Sequence, residues 1–404
     1  MQLNKNLIKG SSILLLGFGL FNFLHFLFQF FMARMLTISE YGILAALFSI
    51  IYITSILTES IQTIIAKYSS NESDSGKLKN IFKKSYKKSF KVSLYIFIFY
   101  LLIAIPLSLI LKISYLLLSI NGLVIFLAFF LPISRGIMQG KKRFKSLSIN
   151  MTVESGSKLI LGILFVYIGF NVYGALAGVL AGGIIAFFFT FFQLKDIFQS
   201  KEKKAQTLGI YDYAKPAFLI NSIIIIFYSL DVILARIFFA PEIAGSYAIA
   251  SILGKIIFWG TLPISKAMFP MSAENLSNKN KAENIFRNAL SMLIVFIITA
   301  LIIFYSFPDL IIKIFSGKNI PQAAFILFFS GIAFSFISLT NLALLYKLSR
   351  NKIKNHNYLF IFIIIEIILL SVFSSNLFQF SIAFVTSSAI FLWGSLYLMD
   401  DKFK

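Results

Sequence analysis

Cysteine is absent from the chain, and charged residues make up only 13% of its 404 residues. A soluble domain is roughly a quarter charged. The chain therefore needs no disulfide and no thiolate metal site. Hydrophobic residues account for 58%, and many apolar runs of about 20 residues could cross a ~30 Å hydrocarbon core as helices. The runs are continuously apolar, which predicts an all-α polytopic membrane protein.

Twelve membrane spans can be read from the apolar runs. The start, MQLNKNLIKG, looks like a secretory signal, but the following apolar run is too long and lacks a small-x-small cleavage site, so we take it as a helix. The predicted spans are 11–33, 41–65, 92–111, 114–134, 147–169, 172–193, 216–236, 243–265, 289–312, 322–346, 358–375 and 377–399.

Basic residues support this count, because Lys and Arg concentrate on the cytoplasmic side of a membrane. With the N-terminus inside, inner segments hold 30 of the 37 Lys and Arg residues and outer segments hold five. Both termini are predicted to be cytoplasmic. The net charge of +21 then needs no nucleic-acid partner, since it faces anionic membrane lipid. KKSYKKSFK (83–91) has lysines at helical i, i+4 intervals, which indicates a basic helix on the inner leaflet or a site for acidic head groups.

One polar segment recurs in the two halves of the chain. ARMLTISEYGILAALFSI (33–50) joins spans one and two, and ARIFFAPEIAGSYAIASIL (235–253) joins spans seven and eight at an offset of 202 residues. The repeat unit is therefore six helices, and an even number gives both copies the same topology. We expect two parallel six-helix bundles, residues 1–205 and 206–404, related by a pseudo-two-fold axis along the membrane normal. A central cleft between such bundles is typical of transporters.

These segments resemble a known family. "ARxLT-x-x-EYG" after the first span, its echo "DVILAR…PE-x-x-G-x-Y" after the seventh, and GIMQGKKRFKSLSIN (136–150) are similar to the polysaccharide-repeat flippases. These O-antigen and capsule translocases belong to the multidrug/oligosaccharidyl-lipid/polysaccharide exporter (MOP) superfamily. The resemblance implies alternating access in the bacterial cytoplasmic membrane. It also implies an undecaprenyl-diphosphate-linked oligosaccharide as substrate, moved from the inner to the outer leaflet.

Charges inside the spans are the candidate substrate contacts, because an ionised side chain there costs roughly 2.5–3.5 kcal/mol or more. Asn150, Glu154 and Lys158 are four apart in span five and share one helix face. Lys158 and Lys255 lie near the midplane, and we expect both to point into a shared central cavity and contact the substrate diphosphate. The alternative is that Glu154 and Lys158 neutralise one another.

Further polar residues extend the candidate set. Asn22, His25 and Gln29 share one face of span one and could contact sugar hydroxyls or hydrogen-bond neighbouring helices. Arg34 and Arg236 are additional cleft candidates in the repeated segment. The candidates for a coupling H⁺ or Na⁺ site are the intramembrane acids Asp231, Glu59 and Glu366. A local Asp231–Arg236 interaction is the alternative role for Asp231.

Three other functions stay open. A drug or cation antiporter of the same superfamily would favour acids in the cleft without matching cations. A flippase for a lipid-linked peptidoglycan precursor differs mainly in having more helices. A membrane glycan polymerase or glycosyltransferase needs large outer loops with catalytic groups, whereas every predicted outer loop has about ten residues or fewer. No metal-ligand cluster, nucleotide loop or nucleophile–base pair is visible, so we expect neither an enzyme nor a cofactor.

Overall fold

The structure is a computed structural model, and it describes residues 5–205, 215–274, 278–350 and 356–398. Every regular element within these ranges is a helix, which confirms the predicted all-α class. The chain divides into two compact units. Unit 1 comprises Met1–Leu36 and Thr54–Tyr213, and unit 2 comprises Thr37–Ile53 and Ala214–Lys404.

The helices of the first half of the chain pack through aliphatic and aromatic side chains. A buried cluster that includes Ile65, Leu78, Ile133 and Leu147 belongs to the core of unit 1. The helices are α1 Lys5–Met35, α2 Ile38–Asn71, α3 Ser75–Leu111, α4 Tyr115–Ala128, α5 Leu131–Gly140, α6 Phe144–Phe165, α7 Asn171–Gln193 and α8 Lys195–Gln199. The first half of α2 belongs to unit 2.

Unit 2 is built on a buried aromatic core. Phe227 lies between Phe384 and Phe391, with ring centroids 6.5 and 4.6 Å away. Its helices are α9 Lys215–Phe238, α10 Pro241–Ala273, α11 Lys279–Ser306, α12 Pro308–Ser316, α13 Pro321–Ser349, α14 Ile361–Val372 and α15 Leu377–Leu398, with a 3₁₀ turn at His356–Phe360.

Ten helices in the described residues are long and apolar enough to cross a membrane, and Tyr358–Val372 is a shorter apolar helix. One of the ten, Phe144–Gln193, is 50 residues long and turns back on itself at Gly169, where φ is 99°. A Cβ on Gly178 would lie 2.5 Å from the Cα of Gly162, and one on Gly182 would lie 2.7 Å from the carbonyl oxygen of Glu154. These pairings make α6 and α7 an antiparallel hairpin, as expected for predicted spans five and six.

The structure differs from the predicted helix boundaries at three places. Residues 83–91 are helical, as predicted, but they are part of α3, which runs without a break from Ser75 to Leu111. Predicted span nine ends at Ser306, since Pro308 lacks an N–H and begins α12. Predicted span four is interrupted after Ala128, and Pro132 lies in the first turn of the new helix α5.

The start of α3 in unit 1 is tied by ion pairs to a segment after α8, residues 200–205, which we name the strap. Lys203 lies 2.6 Å from Asp74, and Lys83 lies 2.6 Å from Glu202. The Lys79 ammonium donates to the carbonyls of Phe198 and Ser200. The hydrogen bond from Lys203 holds the pKa of Asp74 below its ordinary value. Farther along α3 the side chains at positions 83, 84, 87, 88 and 91 are exposed lysines on one face.

Candidate functional site

Unit 1 contains a hydrogen-bonded group of polar side chains from α5, α6 and α7. The Arg135 guanidinium lies 2.6 Å from Glu154, and its Nε donates to Oδ1 of Asn150 at 2.9 Å. Asn150 in turn donates to the carbonyl of Ala186 at 2.9 Å and to Oε1 of Gln193 at 3.0 Å. Asn150 is completely buried, so this residue joins three helices.

Lys158 lies one helical turn beyond Glu154 on α6, against α1. Its ammonium group is 4.3 Å from the centre of the Phe28 ring and 3.3 Å from Nδ1 of His25. A His25 ring protonated on Nε2 accepts a hydrogen bond from Lys158 at Nδ1. That Nε2 is buried and has no hydrogen-bond partner among the described residues. Lys158 itself is 4% exposed.

Glu154 forms an ion pair with Arg135 and also interacts electrostatically with Lys158. The alternative in which Glu154 and Lys158 neutralise one another therefore left out Arg135, which makes the direct contact. Sequence reasoning missed Arg135 because predicted span four ended at residue 134, which placed the arginine in an inner loop. The arginine is in fact buried within α5. The signal available was Pro132, which favours the start of a new helix that carries Arg135.

Unit 2 holds a second buried group, centred on Asp231 of α9. The Lys255 ammonium lies 3.2 Å from Oδ1 of Asp231, and the two side chains are 3% and 0% exposed. The Ser251 hydroxyl donates to Oδ2 at 2.5 Å, and the Tyr247 hydroxyl donates to the same oxygen at 3.4 Å. Tyr247, Ser251 and Lys255 are four residues apart on α10, so all three present one face to Asp231.

Glu366 of α14 is part of this second group through electrostatic interaction and not through a hydrogen bond within the described part of the chain. It is completely buried and interacts electrostatically with Asp231 and Lys255. Neither of its carboxylate oxygens has a hydrogen-bond partner among the described residues. A buried carboxylate without donors is costly when ionised, so this residue is suited to holding a proton.

The structure brings some candidates together and separates others. Lys158 meets His25 in unit 1, and Asp231 meets Lys255 near Glu366 in unit 2. Asp231 forms its ion pair with Lys255. The alternative prediction of a local pair between Asp231 and Arg236 is therefore wrong. Arg236 is buried and interacts electrostatically with Glu242.

The remaining candidates differ in exposure. Gln29 is buried, whereas Asn22, Arg34 and Glu59 are exposed. The Arg34 guanidinium lies 4.4 Å from the centre of the Phe30 ring. In the parts of the chain that the structure describes, no group of three His, Asp or Glu side chains could hold a metal ion.

Similar folds identify the architecture. An inward-facing multidrug-resistance transporter of the MATE family, MOP superfamily, matches with a TM-score of 0.72 at 14% identity, covering 94% of each chain. A MOP-superfamily transporter from Pyrococcus furiosus matches with a TM-score of 0.65 at 13% identity, covering 97% of this chain and 95% of that one. The lipid II flippase MurJ matches with a TM-score of 0.64 at 14% identity, covering 96% and 87%. The chain therefore has a MOP-superfamily transporter fold.

Sequence comparison gives the family. No curated protein matches the chain. A family described as "Polysaccharide biosynthesis protein" matches residues 31–324, which is well over half of the chain and includes Lys158, Asp231 and Lys255. This match agrees with the polysaccharide-related family that the repeated segment resembles. This chain belongs to the polysaccharide biosynthesis protein family.

Proposed function

We propose that the protein is a flippase for a lipid-linked oligosaccharide. It moves an undecaprenyl-diphosphate-linked repeat unit from the inner to the outer leaflet of a bacterial cytoplasmic membrane by alternating access. The family match and the transporter fold support membrane transport in glycan synthesis. The identity of the substrate, its direction of movement and the ion coupling are proposed in addition, from the charges described next.

The observation that carries the proposal is the opposite charge balance of the two buried groups. In unit 1, Arg135 and Lys158 face one acid, Glu154, and His25 adjoins the lysine. In unit 2, Asp231 and Glu366 face one cation, Lys255. Charges within membrane spans are costly and mark substrate or ion pathways. A cation excess in unit 1 suits an acidic diphosphate, and an acid excess in unit 2 suits H⁺ or Na⁺.

This balance changes the roles expected of the two lysines. Lys255 is neutralised by Asp231 at 3.2 Å, so the task of meeting a diphosphate falls mainly to Lys158. A lysine ammonium is a compact charge with three donors, which suits a phosphate that must be released again. Lys158 is 4% exposed, so a movement of the α1 and α6 side chains around it is part of the proposal.

Ion coupling is assigned to Glu366, whose buried oxygens have no hydrogen-bond partner among the described residues. A proton on Glu366 leaves Asp231 and Lys255 as a neutral pair. Loss of that proton leaves the group with one net negative charge in an apolar surrounding, which favours a rearrangement of the helices. Na⁺ bound between Glu366 and Asp231 is the alternative coupling ion.

The proposal includes twelve crossings in two like-oriented six-helix bundles, residues 1–205 and 206–404. Ten candidate spans, one of them the α6–α7 hairpin, together with the shorter helix Tyr358–Val372, support that number. Both termini are then cytoplasmic, and the exposed lysines of α3 face the anionic lipid of the inner leaflet.

A drug or cation antiporter is the second candidate, because the acid excess around Asp231 and Glu366 also suits a cationic cargo. The two functions differ in the group that matters for cargo. In the flippase the cargo depends on Lys158, whereas in the antiporter it depends on the acids of unit 2.

The test is glycan export in the native host after deletion of the gene and complementation with variants. We expect Lys158→Met to reduce surface glycan at least tenfold and to accumulate the lipid-linked precursor, with partial rescue by Lys158→Arg. Lys112→Met, an exposed lysine on a predicted outer segment, is the matched control and should export normally. Normal glycan export in the deletion strain, with loss of resistance to cationic dyes, would reject the flippase and favour the antiporter.

A further inference from the structure

Two tryptophans occur in the chain, and their surroundings differ. Trp393 on α15 is 69% exposed and lines a surface groove with apolar neighbours such as Ile361, Phe362 and Ile365. Those contacts are what a lipid-facing ring makes. Trp259 on α10 is 43% exposed, lies against the Tyr228 ring and is on a stripe that carries lysines. Its surroundings are therefore partly polar, unlike those of Trp393.

The rings around Trp259 form a small platform, which we define as Tyr52, Tyr228 and Trp259. The Tyr228 ring stands nearly perpendicular to Trp259, at 78° with centroids 6.2 Å apart, and the Tyr52 ring centre lies 6.2 Å from that of Tyr228. Phe258 packs against the platform, with its ring centre 5.4 Å from that of Tyr228. Tyr228 is 2% exposed, so its position is fixed, and the faces of Trp259 and Tyr52 are the accessible parts.

Charge lies on the same stripe of α10. Lys255, Trp259 and Lys266 occupy positions i, i+4 and i+11, so they follow one line along the helix. Lys255 lies 5.7 Å from the centre of the Tyr228 ring. Lys266 is exposed and lies ~10 Å along the helix from Trp259. Because Lys255 is buried and paired with Asp231, the accessible ammonium group on this line is that of Lys266. An aromatic surface with one exposed ammonium group at its end matches a ligand that has flat apolar faces, hydroxyl groups and an acidic end.

We propose that Trp259 and Tyr52 form a stacking subsite for a pyranose ring of the transported glycan. The inference rests on the proposed flippase function and specifies where the sugar is held. The C–H faces of a pyranose stack on indole and phenol rings, while Lys266 lies within reach of the acidic end of an extended head group. Aromatic surfaces with a few placed polar groups are the usual lining of small-ligand sites. Stacking depends weakly on sugar identity, which suits a carrier that must release its cargo.

The first experiment measures export in the native host. We expect Trp259→Leu to lower surface glycan at least tenfold and Trp259→Phe to retain most of it, because phenylalanine keeps a stacking face. The matched control is Trp393→Leu, which should export like the wild type. Normal export by Trp259→Leu would overturn the subsite. In that case the proposed flippase function would still be supported if the wild type exports glycan and the Lys158→Met variant does not.

The second experiment keeps the inference testable if Trp259→Leu fails to fold. Trp393→Phe leaves Trp259 as the sole tryptophan of the full-length protein, which is placed in lipid nanodiscs so that no sugar-headed detergent is present. The probes are the lipid-linked glycan extracted from the deletion strain and sugar-free undecaprenyl diphosphate. We expect the glycan probe alone to shift or quench the Trp259 emission. An equal response to both probes, or no response to either, would overturn the subsite and indicate that lipid covers this face.

Discussion

Gly42 of α2 and Gly245 of α10 bring two helix backbones into direct contact. A Cβ on Gly42 would lie 2.8 Å from the Cα of Gly245 and 2.9 Å from its nitrogen. These glycines lie in the two copies of the repeated segment, EYG at 40–42 and PEIAG at 241–245. Residues 37–53 and 214–404 form one unit. The two copies of the repeat therefore pack against each other at their first turns, and glycine is what permits the approach.

Replacing Gly245 with alanine should destabilise unit 2. The new Cβ would lie 2.0 Å from the carbonyl oxygen of Ile38, which is backbone and cannot rotate away. Overpacking of this kind costs about 1–3 kcal/mol. We therefore expect a lower melting temperature for the purified protein in nanodiscs, together with weaker export. Gly183→Ala is the control, since no atom lies within 4 Å of its Cβ position. Equal melting of the two variants would contradict the contact.

The Asp231–Lys255 pair predicts a non-additive mutant cycle. Asp231→Asn leaves Lys255 as an unpaired buried cation, and Lys255→Met leaves Asp231 and Glu366 without their cation. Removing one partner of a buried ion pair costs about 3–5 kcal/mol. We expect each single variant to melt at a clearly lower temperature and the double variant to recover most of the loss. Losses that simply add in the double variant would mean that the two side chains do not interact.

Asn150 was predicted to contact substrate, but its hydrogen bonds suggest a different test. Asn150→Leu deprives the Arg135 Nε of its acceptor, and the Ala186 carbonyl and the Gln193 side chain of a donor. A buried polar group left unsatisfied costs about 1–3 kcal/mol. We expect a marked fall in melting temperature, whereas Asn22→Leu, at an exposed position of α1, should melt normally. If the Asn150→Leu protein is stable but exports no glycan, this result would support a substrate contact for Asn150 and contradict the structural role.

The all-helical class, the presence of many helices of membrane-spanning length and the resemblance to a polysaccharide-related family could be predicted from the sequence. Each of these follows from apolar runs or local motifs, which depend on neighbours in the chain. The ion pairs were not predicted correctly. Asp231 was matched with Arg236, five residues away on its own helix, because spacing along one helix is readable. Its actual partner is Lys255 on α10.

Pairing between helices depends on how α9 and α10 are rotated against one another, and that rotation is set by packing of the whole core. The same applies to Arg135 and Glu154, whose helices are separated by a turn at residues 141–143. One local signal was present for unit 2: Tyr247, Ser251 and Lys255 form a polar stripe at intervals of four in an apolar helix. Such a stripe predicts a polar partner on the facing helix, without identifying it.

The strap at residues 200–205 should loosen in acid. Hydrogen bonds from Lys203 hold the pKa of Asp74 below its ordinary value of 3.8, and hydrogen bonds from Lys83 and Asn80 hold that of Glu202 below 4.5. A carboxyl group with a lowered pKa in the folded state stabilises the fold above its unfolded pKa, and this contribution is lost as pH falls through the folded pKa. We therefore expect the strap to be stable at neutral pH and released only below the ordinary carboxyl range.

Hydrogen exchange at two amides measures this release. The Lys203 N–H donates to the carbonyl of Gly76, and the Ala205 N–H donates to Oδ1 of Asn80. After correction for the intrinsic exchange rate at each pH, protection of both amides should fall as pH drops below 4, while the α13 amides stay protected. Asp74→Asn removes one titrating group, so the Lys203 amide should be less protected at neutral pH and less sensitive to acid. Release of the wild-type strap between pH 6 and 7 would contradict this account, because no carboxyl with a lowered pKa titrates there.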